Sequence, residues 1–266
     1  MTSRSDTQDP MFTPDRGSFA ARIGDRMRDH RPITVALAVW VVGFLVLGVV
    51  MVGLGLLLIH VLAPEGATRL DDSVSQWFVL HRTPTLDTVT RIGSDIGSTG
   101  AIIGVAVVAG IVLAIGRHWR QIGFLAATLT LEFSVFLIST VLVDRPRPDV
   151  PRLDVSPPTS SYPSGHTAAS IALYCGLALV IWSLVRSAAI RTIAWIVAVA
   201  LPIFVGVSRL YRGMHHLTDV LASVLLGCGA LLFALLATRS AVGAHEEHAH
   251  EVGEERSHPV RVEATS

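Results

Sequence analysis

The chain has no lysine: all 21 of its basic residues are arginine. Charge of either sign is scarce, at 16% of residues, well below the share in ordinary soluble domains. The 21 acidic residues balance the arginines, so the net charge is zero and nothing in the bulk electrostatics suggests a nucleic-acid partner. Cysteine is almost absent. Cys175 and Cys228 both fall inside apolar runs, which excludes a disulfide framework and reads as two small packing residues. A cleavable signal peptide is also missing from the pattern. The first 31 residues are polar and arginine-rich, and the first apolar run, 33–62, is far too long for a signal core.

Apolar sequence is what the chain has in abundance: 51% of residues are hydrophobic and the mean hydropathy is +0.55. A bilayer core needs about 20 helical residues. Six runs approach that length, at 33–62, 99–116, 121–143, 166–185, 190–207 and 217–238. In lipid only helices and closed barrels satisfy the backbone, so the expectation is an all-α bundle of six transmembrane helices. A polar leader, 1–32, precedes the six-span domain 33–238, and a His- and Glu-rich tail, 239–266, follows it. Both flanks are expected to be disordered and cytosolic, with weak divalent-metal binding as the alternative use of the tail. Arginines in the leader, in 117–120, in 186–191 and at Arg239 then share one side. Counting positive charge in short loops assigns that side to the cytoplasm of an inner (plasma) membrane. Residues 63–98 carry Leu70, Val74, Trp77 and Phe78 at helical spacing beside Asp71 and Asp72. They read as short amphipathic helices on the outer face. Glu132 lies within the third span, either in a bundle-interior hydrogen bond or on a polar path beneath a site.

The polar chemistry is densest in Ser208–Asp219, S-R-L-Y-R-G-M-H-H-L-T-D. His215 and Asp219 are four apart, so on a helix they share a face, where the carboxylate can hold one imidazole nitrogen and free the other. Arg209 and Arg212 are planar forks suited to phosphate or carboxylate oxygens. The proline-rich segment 144–165 presents Arg145, Arg147 and Arg152 on a stiffened backbone. It ends in Pro163-Ser164-Gly165-His166, where Ser164 is a natural N-cap and Gly165 lets a ligand approach the chain. The opening turn of the helix favours an anion beside His166. Together these elements predict an outward-facing anion site with two histidines, suited to a phosphorylated lipid that arrives from the membrane.

Those spacings resemble the type-2 phosphatidic acid phosphatase (lipid phosphate phosphatase) superfamily, which is marked by K-x6-R-P, P-S-G-H and S-R-x5-H-x3-D. The second motif is complete at 163–166 and the third at Ser208, Arg209, His215 and Asp219. The first is present at Arg147-Pro148, with Thr140 at the lysine position. The resemblance implies a membrane phosphatase acting on polyprenyl diphosphate, phosphatidate or phosphatidylglycerophosphate, with no metal or other cofactor. It implies His215 as nucleophile, Asp219 as its orienter and His166 as acid. Arg147, Arg209 and the N–H groups near Ser164 and Gly165 would hold the phosphate oxygens. Either Arg145 or Arg212 would compensate for the charge that Thr140 lacks, or the enzyme would be slower or prefer another head group. Two other readings stand beside it: a metal-dependent hydrolase using His166, His215, His216 and Asp219, and an inactive lipid-phosphate-binding relative.

Overall fold

The computed structural model describes residues 11–63, 66, 68–155 and 158–257, with side chains as far as His245. Every regular element among them is helical: α1 (Phe19–Arg26), α2 (Pro32–Leu57), α3 (Arg69–Leu80), α4 (Pro84–Ile96), α5 (Thr99–Ile115), α6 (Trp119–Leu142), α7 (Gly165–Ser170), α8 (Gly176–Leu184), α9 (Ala188–Tyr211) and α10 (Leu217–Ser257). A π turn, Leu58–Leu62, extends α2, and another, Ile171–Cys175, joins α7 to α8 into one span. The starts follow the local chemistry. Ser18, Thr83 and Ser98 each accept a backbone N–H at the opening of α1, α4 and α5, and Pro84 occupies the first turn of α4, where its missing N–H removes no bond.

Among the described residues five helices are long and apolar enough to cross a bilayer, and six if α4 and α5 count as one span. That pair bends by 49°. The break falls at Gly97-Ser98, where Ser98 caps a new helix. The expected second span, 99–116, is thus the short α5 preceded by an angled amphipathic segment. Both surface helices expected in 63–98 are present, as α3 and α4.

The chain divides into two compact units. The larger, 40–234, holds the site. Its core packs Leu47 and Met51 of α2 against Leu131 and Val135 of α6, with Tyr162 and Leu226. Tyr162 is fully buried and donates its hydroxyl to the Met51 carbonyl, as a buried phenol must find a partner. Val49, Ile111, Ile193 and Leu232 instead stay exposed, a surface matched to hydrocarbon. At the polar end α4 packs closely on α9. A Cβ on Gly93 would come within 2.1 Å of the Ser208 hydroxyl oxygen. Tyr211, at the end of α9, donates to Asp87 of α4, and Arg82 donates to the Tyr211 carbonyl.

The smaller unit comprises 1–39 and 235–266, and the described part of each flank contains helix. Residues 19–26 of the leader form α1, with Phe12 buried beside it. Residues 239–257 of the tail continue α10 as helix. Alanine and glutamate recur there, and no proline interrupts them. The leader and tail pair: Arg239 donates to the Met11 carbonyl, and a Cβ on Gly24 would meet Ala244 at 2.9 Å. Residues 1–10 and 258–266 lie outside the described part.

Candidate active site

His215 lies between α9 and α10 rather than on a helix. The chain turns there through Gly213, whose φ of +70° suits glycine. The Nδ1 atom of His215 is 2.7 Å from the carbonyl oxygen of Ser161. A carbonyl only accepts, so Nδ1 carries the proton and Nε2 keeps its lone pair. Asp219 does not make this contact. Its Oδ2 is 3.9 Å from Nδ1 and accepts the His216 N–H at 2.9 Å, while its other oxygen pairs with Arg145. The carboxylate expected to orient the imidazole therefore caps the turn that carries it, and a backbone carbonyl does the orienting. Burial, then the charges of Arg209 and Arg147, push the His215 pKa well below 6.5.

Arg147 and Arg209 converge on the same space. Arg147 donates one Nη1 bond to the Met214 carbonyl at 2.7 Å, and Arg209 donates through Nη1 to Ser94 at 2.6 Å and to Asp154 at 2.9 Å. The buried Nε of each guanidinium has no partner among the described residues. Burial draws the Arg147 pKa down, with the nearby Arg152 acting in the same sense. His166 and Gly165 join them at the start of α7. Gly165 has no room for a side chain, since a Cβ would meet the Phe136 ring at 2.8 Å.

Four of the expected phosphate contacts lie elsewhere. Arg145 is buried between two carboxylates, Asp71 at 2.8 Å and Asp219. Arg212 clasps Asp154 through Nε at 2.8 Å and Nη2 at 2.6 Å. Neither guanidinium is free to replace the missing lysine. Ser164 is fully buried, shares a hydrogen bond with the Thr167 hydroxyl and gives its N–H to the Asp219 carbonyl at 3.4 Å. Thr140 lies outside the cavity wall, and its buried hydroxyl has no partner among the described residues. His216 is turned away, with Nε2 3.2 Å from the Pro146 carbonyl.

Two acids that the sequence reading passed over are structural keys. Asp71 of α3 accepts from the Thr218 N–H at 2.9 Å, the Thr218 hydroxyl at 2.6 Å and Arg145. Asp154 joins Arg209, Arg212 and Ser94. Burial works to raise the Asp154 pKa, but bonding to Arg212 and the charges of both arginines outweigh it, and the group stays below 3.8. The available signal was an acid in each of two polar segments between the spans, with no spacing rule to pair them.

A cavity of about 700 Å³ extends from His215, Arg147, Arg209 and His166 into an apolar section between α5 and α6. Ile103 and Phe133 flank it and are each 57% exposed on the bundle surface. Glu132 lines this apolar section, in neither a hydrogen bond among the described residues nor a polar path.

A membrane-embedded helical bundle whose arginines and histidines line a lipid-sized cavity defines an integral-membrane phosphatase of lipids. The chain belongs to the PAP2 superfamily, whose family model matches residues 121–242. Phosphatidylglycerophosphatase B of Bacillus subtilis (strain 168) is 30% identical over 183 residues, covering 67% of this chain and 85% of that protein. The fold also matches the crystal structure of a transmembrane PAP2-type phosphatidylglycerolphosphate phosphatase from Bacillus subtilis. That match has a TM-score of 0.58 at 24% identity, over 87% of this chain and 99% of the other.

Proposed function

We propose that this chain hydrolyses a glycerolipid phosphate monoester, phosphatidylglycerophosphate foremost, through a phosphohistidine. The observation that carries the mechanism is the Nδ1–Ser161 hydrogen bond, which leaves Nε2 of His215 as a neutral nucleophile in the cavity lined by the buried Arg209 and the half-buried Arg147. The substrate is favoured by the name of the curated relative. Nε2 attacks phosphorus, the N–P bond forms and the bond to the lipid oxygen breaks as His166 gives that oxygen a proton. Water then attacks phosphorus, its proton passes to His166, and the N–P bond breaks to release phosphate. Arg147, Arg209 and the opening N–H groups of α7 hold the equatorial oxygens, where charge is concentrated in the transition state. The arginines of 117–120, 186–191 and Arg239 support a cytoplasmic placement of both termini and an outward-facing site.

The test is phosphate release from phosphatidylglycerophosphate in detergent, with phosphate-labelled substrate to trap the acid-labile, base-stable adduct. His215→Asn should lower the rate by about 10³-fold or more and remove the adduct. An unchanged rate in that variant overturns the mechanism. The metal-dependent alternative gains no support, since no group of three or more potential ligands is gathered to hold an ion among the described residues. Full activity in chelator, with inhibition by vanadate, separates the two routes.

A further inference from the structure

Glu132 is 3% exposed, lines the cavity and accepts no hydrogen bond among the described residues. Its neighbour Thr128 turns its own hydroxyl back to the Phe124 carbonyl at 2.8 Å. Leu129, Phe133, Phe136 and Ile102 share that cavity lining, and Thr130 turns its hydroxyl to the Ala126 carbonyl at 2.7 Å. An uncompensated carboxylate in such surroundings is expensive, whereas the neutral acid offers one O–H donor that needs a partner. Its place along the cavity is set by α6. Phe136 touches Gly165 at the phosphate end, and Glu132 lies one turn, about 6 Å, further along the helix.

We propose that Glu132 is a specificity-determining residue whose carboxyl donates a hydrogen bond to an acyl ester carbonyl of the lipid phosphate. This rests on the lipid phosphatase reading above. In phosphatidate the ester carbonyls are a few bonds from phosphorus, so phosphatidate with its phosphate at His215 carries them into this section, whereas in phosphatidylglycerophosphate a second glycerol and a phosphodiester intervene. A diether lipid or a polyprenyl chain has no carbonyl there. Either would leave the buried donor unsatisfied, and a site built around a polar group discriminates against ligands that cannot pair with it.

The experiment compares kcat/KM for diester and diether phosphatidate with matched chains, on the full protein in detergent. Wild type is expected to favour the diester by about tenfold, the worth of one hydrogen bond to a buried polar group. Glu132→Leu should bring that ratio close to one, and Glu132→Gln, which keeps an N–H donor, should retain part of it. Equal rates on the two lipids in wild type would overturn the proposal, and so would an undiminished preference in Glu132→Leu. An equal loss on both lipids in each variant would show a proton-relay role instead and sink it too. Because the wild-type ratio is decisive alone, poor folding of a variant does not shelter the idea. Loss of diester hydrolysis in His215→Asn checks the underlying phosphatase reading separately.

Discussion

A histidine nucleophile works only while its attacking nitrogen is unprotonated. His215 has a pKa held well below 6.5, so its protonation begins only at lower pH. The acid limb of kcat/KM should therefore lie below pH 6.5, and a limb centred at or above 6.5 would contradict the burial argument. Arg209→Lys is a second residue-scale probe. The ammonium keeps the charge but cannot bond Ser94, Asp154 and a phosphate oxygen through one planar fork. We expect a loss of about tenfold or more in kcat/KM, measured with the same lipid. Thr140 provides the opposite case. Its orphaned hydroxyl is buried outside the cavity wall, so Thr140→Val should leave kcat/KM unchanged and leave thermal stability equal or higher.

At the scale of elements, the surface helices act as braces for the site. Asp71 joins α3 to the first residues of α10 and to Arg145, which in turn holds Asp219. Asp71→Ala leaves a buried guanidinium and the Thr218 donors short of an acceptor. We expect about 3 kcal/mol of lost stability, read by thermal or denaturant unfolding, with reduced turnover. The sign of the pH effect follows from the shift. Burial raises the Asp71 pKa, bonds from Thr218 and Arg145 lower it further, and the net value is below 3.8. Its contribution is thus present above pH 3.8 and fades as pH falls through the lower folded-state value. Gly93→Ala tests the other brace. The new methyl would strike Ser208 and separate α4, with Ser94, from the Arg209 it supports. Activity should fall while α3 remains tied through Asp71.

For the whole molecule, the sequence was most informative where chemistry repeats along the chain. Long apolar runs marked the spans, and P-S-G-H with S-R-x5-H-x3-D marked His166, Arg209 and His215, all of which line one cavity. Contacts between distant segments were illegible. Asp71 meets Thr218 across 147 positions, and Asp154 meets Arg212 across 58, with no period or motif linking them. For the same reason Arg145 and Arg212 looked available for phosphate when carboxylates already held them. The helical continuation of α10 was missed because a run of histidine and glutamate was weighed as solvated charge rather than as helix formers.

The bond from His215 to the Ser161 carbonyl has a practical consequence for anyone mapping this enzyme by substitution. A main-chain acceptor survives every side-chain replacement, so Ser161→Ala should leave the imidazole facing the same way, its cost confined to the lost hydroxyl bond to the Pro146 carbonyl. Asp219→Asn should also keep that tautomer, because the amide oxygen can still receive the His216 N–H. Its penalty would come from the broken Arg145 pair alone. An alanine scan would therefore rank the aspartate as decisive and overlook the bond that aims the imidazole.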